Sequence, residues 1–102
     1  MSVRIYHVPW IPGPSWIAGI TLPPIGIFIE NQYRDDPVTH YHELWHWHQY
    51  ETMGWWKQTF TYLWETIRHG YRNNRLEQDA YAQAVGKTWD DVHNLIEVLN
   101  HA

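Results

Sequence analysis

A change of period at Asp36-Pro37 divides this chain into two parts that cannot share one kind of structure. Before it, Pro9, Pro12, Gly13, Pro14, Gly19, Pro23, Pro24 and Gly26 interrupt the chain every few residues. A helix does not survive such punctuation, because proline removes a backbone donor and fixes φ, whereas the β-branched and aromatic runs in between are strand formers. Strands are expected near Val3 to His7, Trp16 to Thr21 and Ile25 to Glu30. The last two lie on either side of Leu22-Pro23-Pro24 and are expected to pair as a hairpin in a small antiparallel sheet, with a proline-limited edge left open to another strand.

After Asp36 the pattern is helical. Asp36 followed by Pro37 is an N-cap and first-turn pair and Gly54 is a terminator, so the first helix should run from about Pro37 to Met53. Trp56, Phe60, Leu63, Trp64 and Ile67 share one face of a second helix closed by Gly70, and this stripe reads as core. Leu76, Ala80 and Ala84 share a face of a third helix ending near Gly86, where small residues permit close approach to a neighbour. Thr88 with Asp91 forms a capping-box pair, and Val92, Leu95, Ile96 and Leu99 supply the apolar face of a last helix. The expected class is α+β: a strand and turn region over residues 1–35 followed by a bundle of about four helices over 36–102, in one domain.

A chain of 102 residues has room for one core and not for two. It contains no cysteine, which excludes disulfides and thiolate metal sites, and leaves His, Asp and Glu as ligands. The net charge of −4, with seven scattered Lys and Arg, offers no basic stripe for nucleic acid. The longest apolar stretch, Trp16 to Ile29, is broken by Pro23 and Pro24, whereas a spanning helix needs roughly 20 apolar residues. Met1 to Trp10 lacks the pattern of a signal peptide, so a soluble, cytoplasmic protein is expected. Eight histidines are the compositional oddity and the first hint of metal or proton chemistry.

Three of them fall in His40-Tyr41-His42-Glu43-Leu44-Trp45-His46, which contains the pattern H-E-x-x-H. Residues four apart on a helix project from one face a turn apart, so His42 and His46 can converge on one ion. Glu43 lies about a quarter-turn away, placed to reach water activated by the ion and to serve as general base. A variant of this motif takes a third histidine six residues after the second; here that position is Thr52, with Gln49 in place of the usual Gly, so the variant is excluded. A third ligand must return from a later segment. Glu77, beside the Leu76, Ala80, Ala84 face, is favoured, with His69, Asp79, His93 and Asp91 as competitors. Gln49 shares the stripe of the two histidines and is expected to make a buried hydrogen bond to a neighbouring strand or loop. His40 and His48 point to other faces and receive no metal role.

His42 to Gln49 reads H-E-L-x-H-x-x-Q and resembles the minigluzincins, small phage and bacterial proteins of the zincin superfamily. Gly19 to Ile29 is similar to the strand pair that those proteins place before the active-site helix. The resemblance spans about Gly19 to Ala84 and implies a Zn2+ site completed by a Glu within an E-x-x-A pattern, matched here by Glu77-Gln78-Asp79-Ala80. The chain departs from the family at Arg75, where a proline is common, and from larger gluzincins at Tyr81, where they carry Asp. The implied activity is that of a zinc-dependent peptidase or peptidase-like hydrolase acting on an extended peptide or protein. An alternative is a zinc-stabilised binding module without turnover, such as a phage accessory protein. Asp79 is a candidate outer-shell acceptor for a ligating imidazole, and Tyr71, Tyr81 and His69 are candidates to stabilise an oxyanion.

Overall fold

In the computed structural model the described residues are 3–12, 17–22, 25–70 and 74–101, the side chains of residues 55 and 56 excepted. They form strands β1 (Ile5–Val8), β2 (Gly19–Leu22) and β3 (Gly26–Glu30), a 3-10 turn at Asn31–Tyr33, and helices α1 (Pro37–Met53), α2 (Trp55–His69), α3 (Arg75–Ala84) and α4 (Trp89–Asn100). The expected class, α+β with the sheet first and four helices after it, is the observed one.

The sheet is mixed rather than purely antiparallel, with order β1-β3-β2. β2 and β3 pair antiparallel, Ile20 opposite Phe28, as the hairpin reading requires. β1 fills the other edge of β3 in parallel, Tyr6 opposite Phe28, so the open edge expected of the hairpin is taken by the N-terminal strand. Both neighbours cover β3, and its Ile27 and Ile29 are fully buried. The turn residues Pro23 and Pro24, and Trp16, lie outside the described residues.

Helix α1 is the axis of the molecule and touches β2, β3, α2, α3 and α4. It starts where Asp36 accepts a hydrogen bond from the Val38 N–H, and it stops at Gly54, whose φ of 84° suits only glycine comfortably. Leu44 and Trp47 join Ile27, Ile29, Tyr41, Ala84, Val92 and Leu99 in the core. Leu95 and Ile96 of α4 are partly buried against it, so the apolar face expected of the last helix is the one in use. The Thr88–Asp91 capping box forms, and the Thr88 backbone N–H holds the Asp91 carboxyl below its ordinary range.

Helix α2 overturns an expectation. Phe60, Leu63, Trp64 and Ile67 do share a face, but that face is exposed, Ile67 at 78%. The inner face carries Glu65, buried and paired with the Arg75 side chain at 3.1 Å, together with half-buried Thr59, Tyr62 and Thr66. A period of 3.6 tells which residues lie together, and only a neighbour decides which face turns inward. The side chain of Trp56 is outside the described set.

A second histidine contact lies away from the motif. His7 Nε2 and His40 Nε2 are 2.9 Å apart. Their ring centroids are 5.2 Å apart, so the two Nε2 corners face one another. His40 Nδ1 lies 2.8 Å from the Asp36 carbonyl, which can only accept. His40 therefore carries its proton on Nδ1, and His7 donates from Nε2. The contact ties β1 to the first turn of α1, and burial holds the His40 pKa below its ordinary value.

Candidate metal centre

His42, His46 and Glu77 form a buried group whose ligand atoms all lie within 4.8 Å of one another. This group could hold a metal ion, and it is the only one of three or more His, Asp or Glu residues that does so among the described residues. Two elements build it. Helix α1 presents the two imidazoles one turn apart, with ring centroids 4.8 Å apart and planes at 86°. Helix α3 brings Glu77, whose Oε1 lies 3.5 Å from His42 Nε2 and in direct contact with His46 Nε2.

Helix α3 is held in place by Asn74, a residue the sequence reading did not single out. Asn74 is fully buried; its Oδ1 caps the helix by accepting from the Leu76 and Glu77 N–H groups. Its Nδ2 donates to the Tyr62 carbonyl at 3.1 Å and to Thr66 Oγ1 at 2.9 Å, both on α2. One side chain thus starts the helix that carries Glu77 and fastens it to a neighbour. An asparagine before a predicted helix was a legible cap signal, whereas its ties to α2 depend on tertiary structure.

The electrostatics suit a cation. Glu77 has no exposed surface, and an isolated buried carboxylate is costly unless positive charge accompanies it. In the metal-free chain that charge is on His46. Burial by itself lowers the His46 pKa, but the hydrogen bond with Glu77 and the nearby Glu43 charge more than reverse this, raising it to about 9. His42 Nδ1 is buried without a hydrogen-bond partner among the described residues. Two imidazole nitrogens and a carboxylate oxygen form a donor set that borderline divalent ions accept.

Glu43 lies beside this group, its Oε2 3.9 Å from His42 Nε2. Two residues of β2 shape its position, and neither was anticipated. Thr21 Oγ1 sits 2.8 Å from Glu43 Oε1 and 3.0 Å from the Glu43 carbonyl, with one proton to share between two acceptors. Gly19 leaves room for the side chain, since a Cβ there would stand 3.0 Å from Glu43 Cγ and 3.1 Å from the Phe28 carbonyl. A cavity of about 430 Å³ adjoins Glu43, His46 and Glu77, with Ile11, Ile17, Ile20, Leu22, Tyr62 and Leu63 among its walls. A smaller one of about 90 Å³ lies between Ile17, Val38, Thr39, His42, Glu43 and Tyr81.

The remaining candidates separate cleanly. Tyr81 packs its ring on His42, centroids 4.4 Å apart, and so borders the site. Asp79 does not reach either imidazole directly; it accepts from Trp45 Nε1–H and from Gln49 Nε2–H. Gln49 in turn bonds within α1 and to helix α3, rather than to a strand or loop. His69 is on the exposed end of α2, 3.9 Å from Glu65, and His93 lies near Trp89. None of His69, His93 and Asp91 belongs to the ligand group. Tyr71 lies outside the described residues.

No helix among the described residues is long and apolar enough to cross a membrane. No family model, characterised protein or solved structure matches this chain. What the protein can do is therefore read from the geometry of the site.

Proposed function

We propose that this chain is a zinc-dependent peptidase or peptidase-like hydrolase of the minigluzincin kind, in which His42, His46 and Glu77 hold Zn2+ and Glu43 is the general base. The observation that carries the reading is the coincidence of a buried His-His-Glu group with a further carboxylate, Glu43, that borders the group without being one of its three ligands. Zinc held there would supply Lewis-acid polarisation of a carbonyl and would acidify water. Glu43 would hold the proton taken from water, and the Thr21 hydroxyl orients its carboxylate through Oε1. The cavity walls offer apolar surface to substrate side chains. An extended peptide would add alongside β2, whose side away from β3 has no strand partner among the described residues.

Glu43→Gln is the test. It should leave Zn2+ binding intact and abolish cleavage of a peptide library, whereas cleavage that persists in the variant removes Glu43 from the chemistry. The exposed apolar face of α2 favours a second reading, a zinc-stabilised binding module without turnover. Any turnover that depends on Glu43 excludes it.

A further inference from the structure

We propose that Gln49 is a positioning residue for the metal centre, one whose amide locks the ring of His46 to the peptide unit that carries Glu77. The proposal rests on the reading of His42, His46 and Glu77 as metal ligands.

The amide orientation follows from its neighbours. Gln49 Nε2 lies 3.0 Å from the Leu76 carbonyl oxygen and 3.0 Å from Asp79 Oδ2, both of which can only accept. That end of the side chain must be the NH2 group, and both of its protons are used. Oε1 then faces His46 Nδ1 at 2.8 Å, and as an acceptor it requires a proton there. His46 is thereby set with Nδ1–H toward Gln49 and Nε2 toward Glu77, the nitrogen that a metal would take.

The far end of the link is as informative. The Leu76 carbonyl belongs to the peptide unit whose N–H is that of Glu77, and that N–H is already held by the Asn74 cap. Gln49 therefore couples the second ligand of α1 to the backbone of the third ligand on α3, within a side chain only 6% exposed. Asp79 anchors the amide, and the Trp45 Nε1–H holds Asp79 from the other side. An asparagine is too short to span these partners. A glutamate at position 49 would set a carboxylate against the Asp79 carboxylate and the Leu76 carbonyl.

The experiment titrates the full chain with Co2+ in competition with a chromogenic chelator and records the visible spectrum of the bound ion. Gln49→Leu preserves size and removes the amide; it should weaken Co2+ binding on the order of 10–100-fold and change the spectrum. Gln49→Glu should also weaken binding. Adding Asp79→Asn to it should recover part of the loss, because the two positions then again pair one acid with one amide, in reverse order. A role confined to packing predicts no such recovery. Unchanged affinity and spectrum in Gln49→Leu would overturn the proposal while leaving the metal reading intact; absence of Co2+ uptake by the unaltered chain would overturn both. A measurement free of variants is the long-range 15N–1H correlation spectrum of the zinc-loaded chain. It should show His46 protonated at Nδ1 and coordinated through Nε2, and the opposite assignment contradicts the proposal.

Discussion

Helices α1 and α2 are neighbours in the chain and opposite in construction. α1 buries polar groups: His40, His42, Glu43, His46 and Gln49 are all nearly inaccessible. α2 exposes apolar ones, with Phe60, Leu63, Trp64 and Ile67 on its outer face. Ordinary partitioning would do the reverse. Burial of polar side chains is costly unless they are matched, and in α1 the matching is visible for three of them, Gln49 for His46, Thr21 for Glu43, the Asp36 carbonyl and His7 for His40, while His42 Nδ1 has no hydrogen-bond partner among the described residues. A site has shaped α1, whereas α2 is shaped by the few neighbours it has.

Removing the charge that organises α1 should have the largest effect. Glu77→Ala removes the partner that keeps His46 protonated, so the buried imidazole gives up its proton and the pairing is lost from the metal-free chain. It should also weaken metal binding beyond the roughly 100-fold that an outer-shell loss produces. Urea denaturation with and without Zn2+ reads both effects, and a metal-induced gain in stability that survives the substitution would show that Glu77 is no ligand.

Core truncation comes next. Leu44→Ala, in a fully buried position of α1, should cost about 2–5 kcal/mol. Ile67→Ala on the outer face of α2 should stay within about 0.5 kcal/mol. Equal losses for the two helices would remove the distinction between them.

Proton uptake resolves α1 in finer detail. His46 has a folded pKa raised to about 9, so its contribution to stability is complete below its unfolded value of 6.5 and is lost as pH rises through about 9. At pH 7 the metal must displace that proton, so uptake should release about one proton per ion, and affinity should climb with pH up to about 9. Calorimetry in buffers of different ionisation enthalpy measures the release, and none at pH 7 would place His46 neutral before binding. His40 carries the opposite sign. Its folded pKa lies below 6.5, so the stability it contributes is present above 6.5 and declines as pH falls toward the folded value. Denaturation midpoints for the parent chain and His40→Gln, compared at neutral and mildly acidic pH, should converge on acidification.

Local signals were legible in the sequence and distant ones were not. Asp36-Pro37 and Gly54 bracket α1 at the bounds expected of it, because caps and breakers act within a turn. The pairing of His42 with His46 is legible for the same reason, since one helical turn determines it. Glu77 could be favoured but not separated from Asp79 or His93 until the return of α3 was known. The parallel pairing of β1, the outward face of α2 and the link from Gln49 to Leu76 each depend on a partner far along the chain. Thr21 and Gly19 carry no motif at all; their importance comes from β2 lying against α1 at Glu43.

The proposed function requires a single metal ion shared between α1 and α3. An anomalous difference map at the zinc edge, from crystals grown with one equivalent of Zn2+, would locate that ion without intermediaries. One strong peak should appear about 2.0–2.2 Å from nitrogens of His42 and His46 and from a Glu77 oxygen. A zinc-saturated crystal with no peak among those three residues would refute the shared ion.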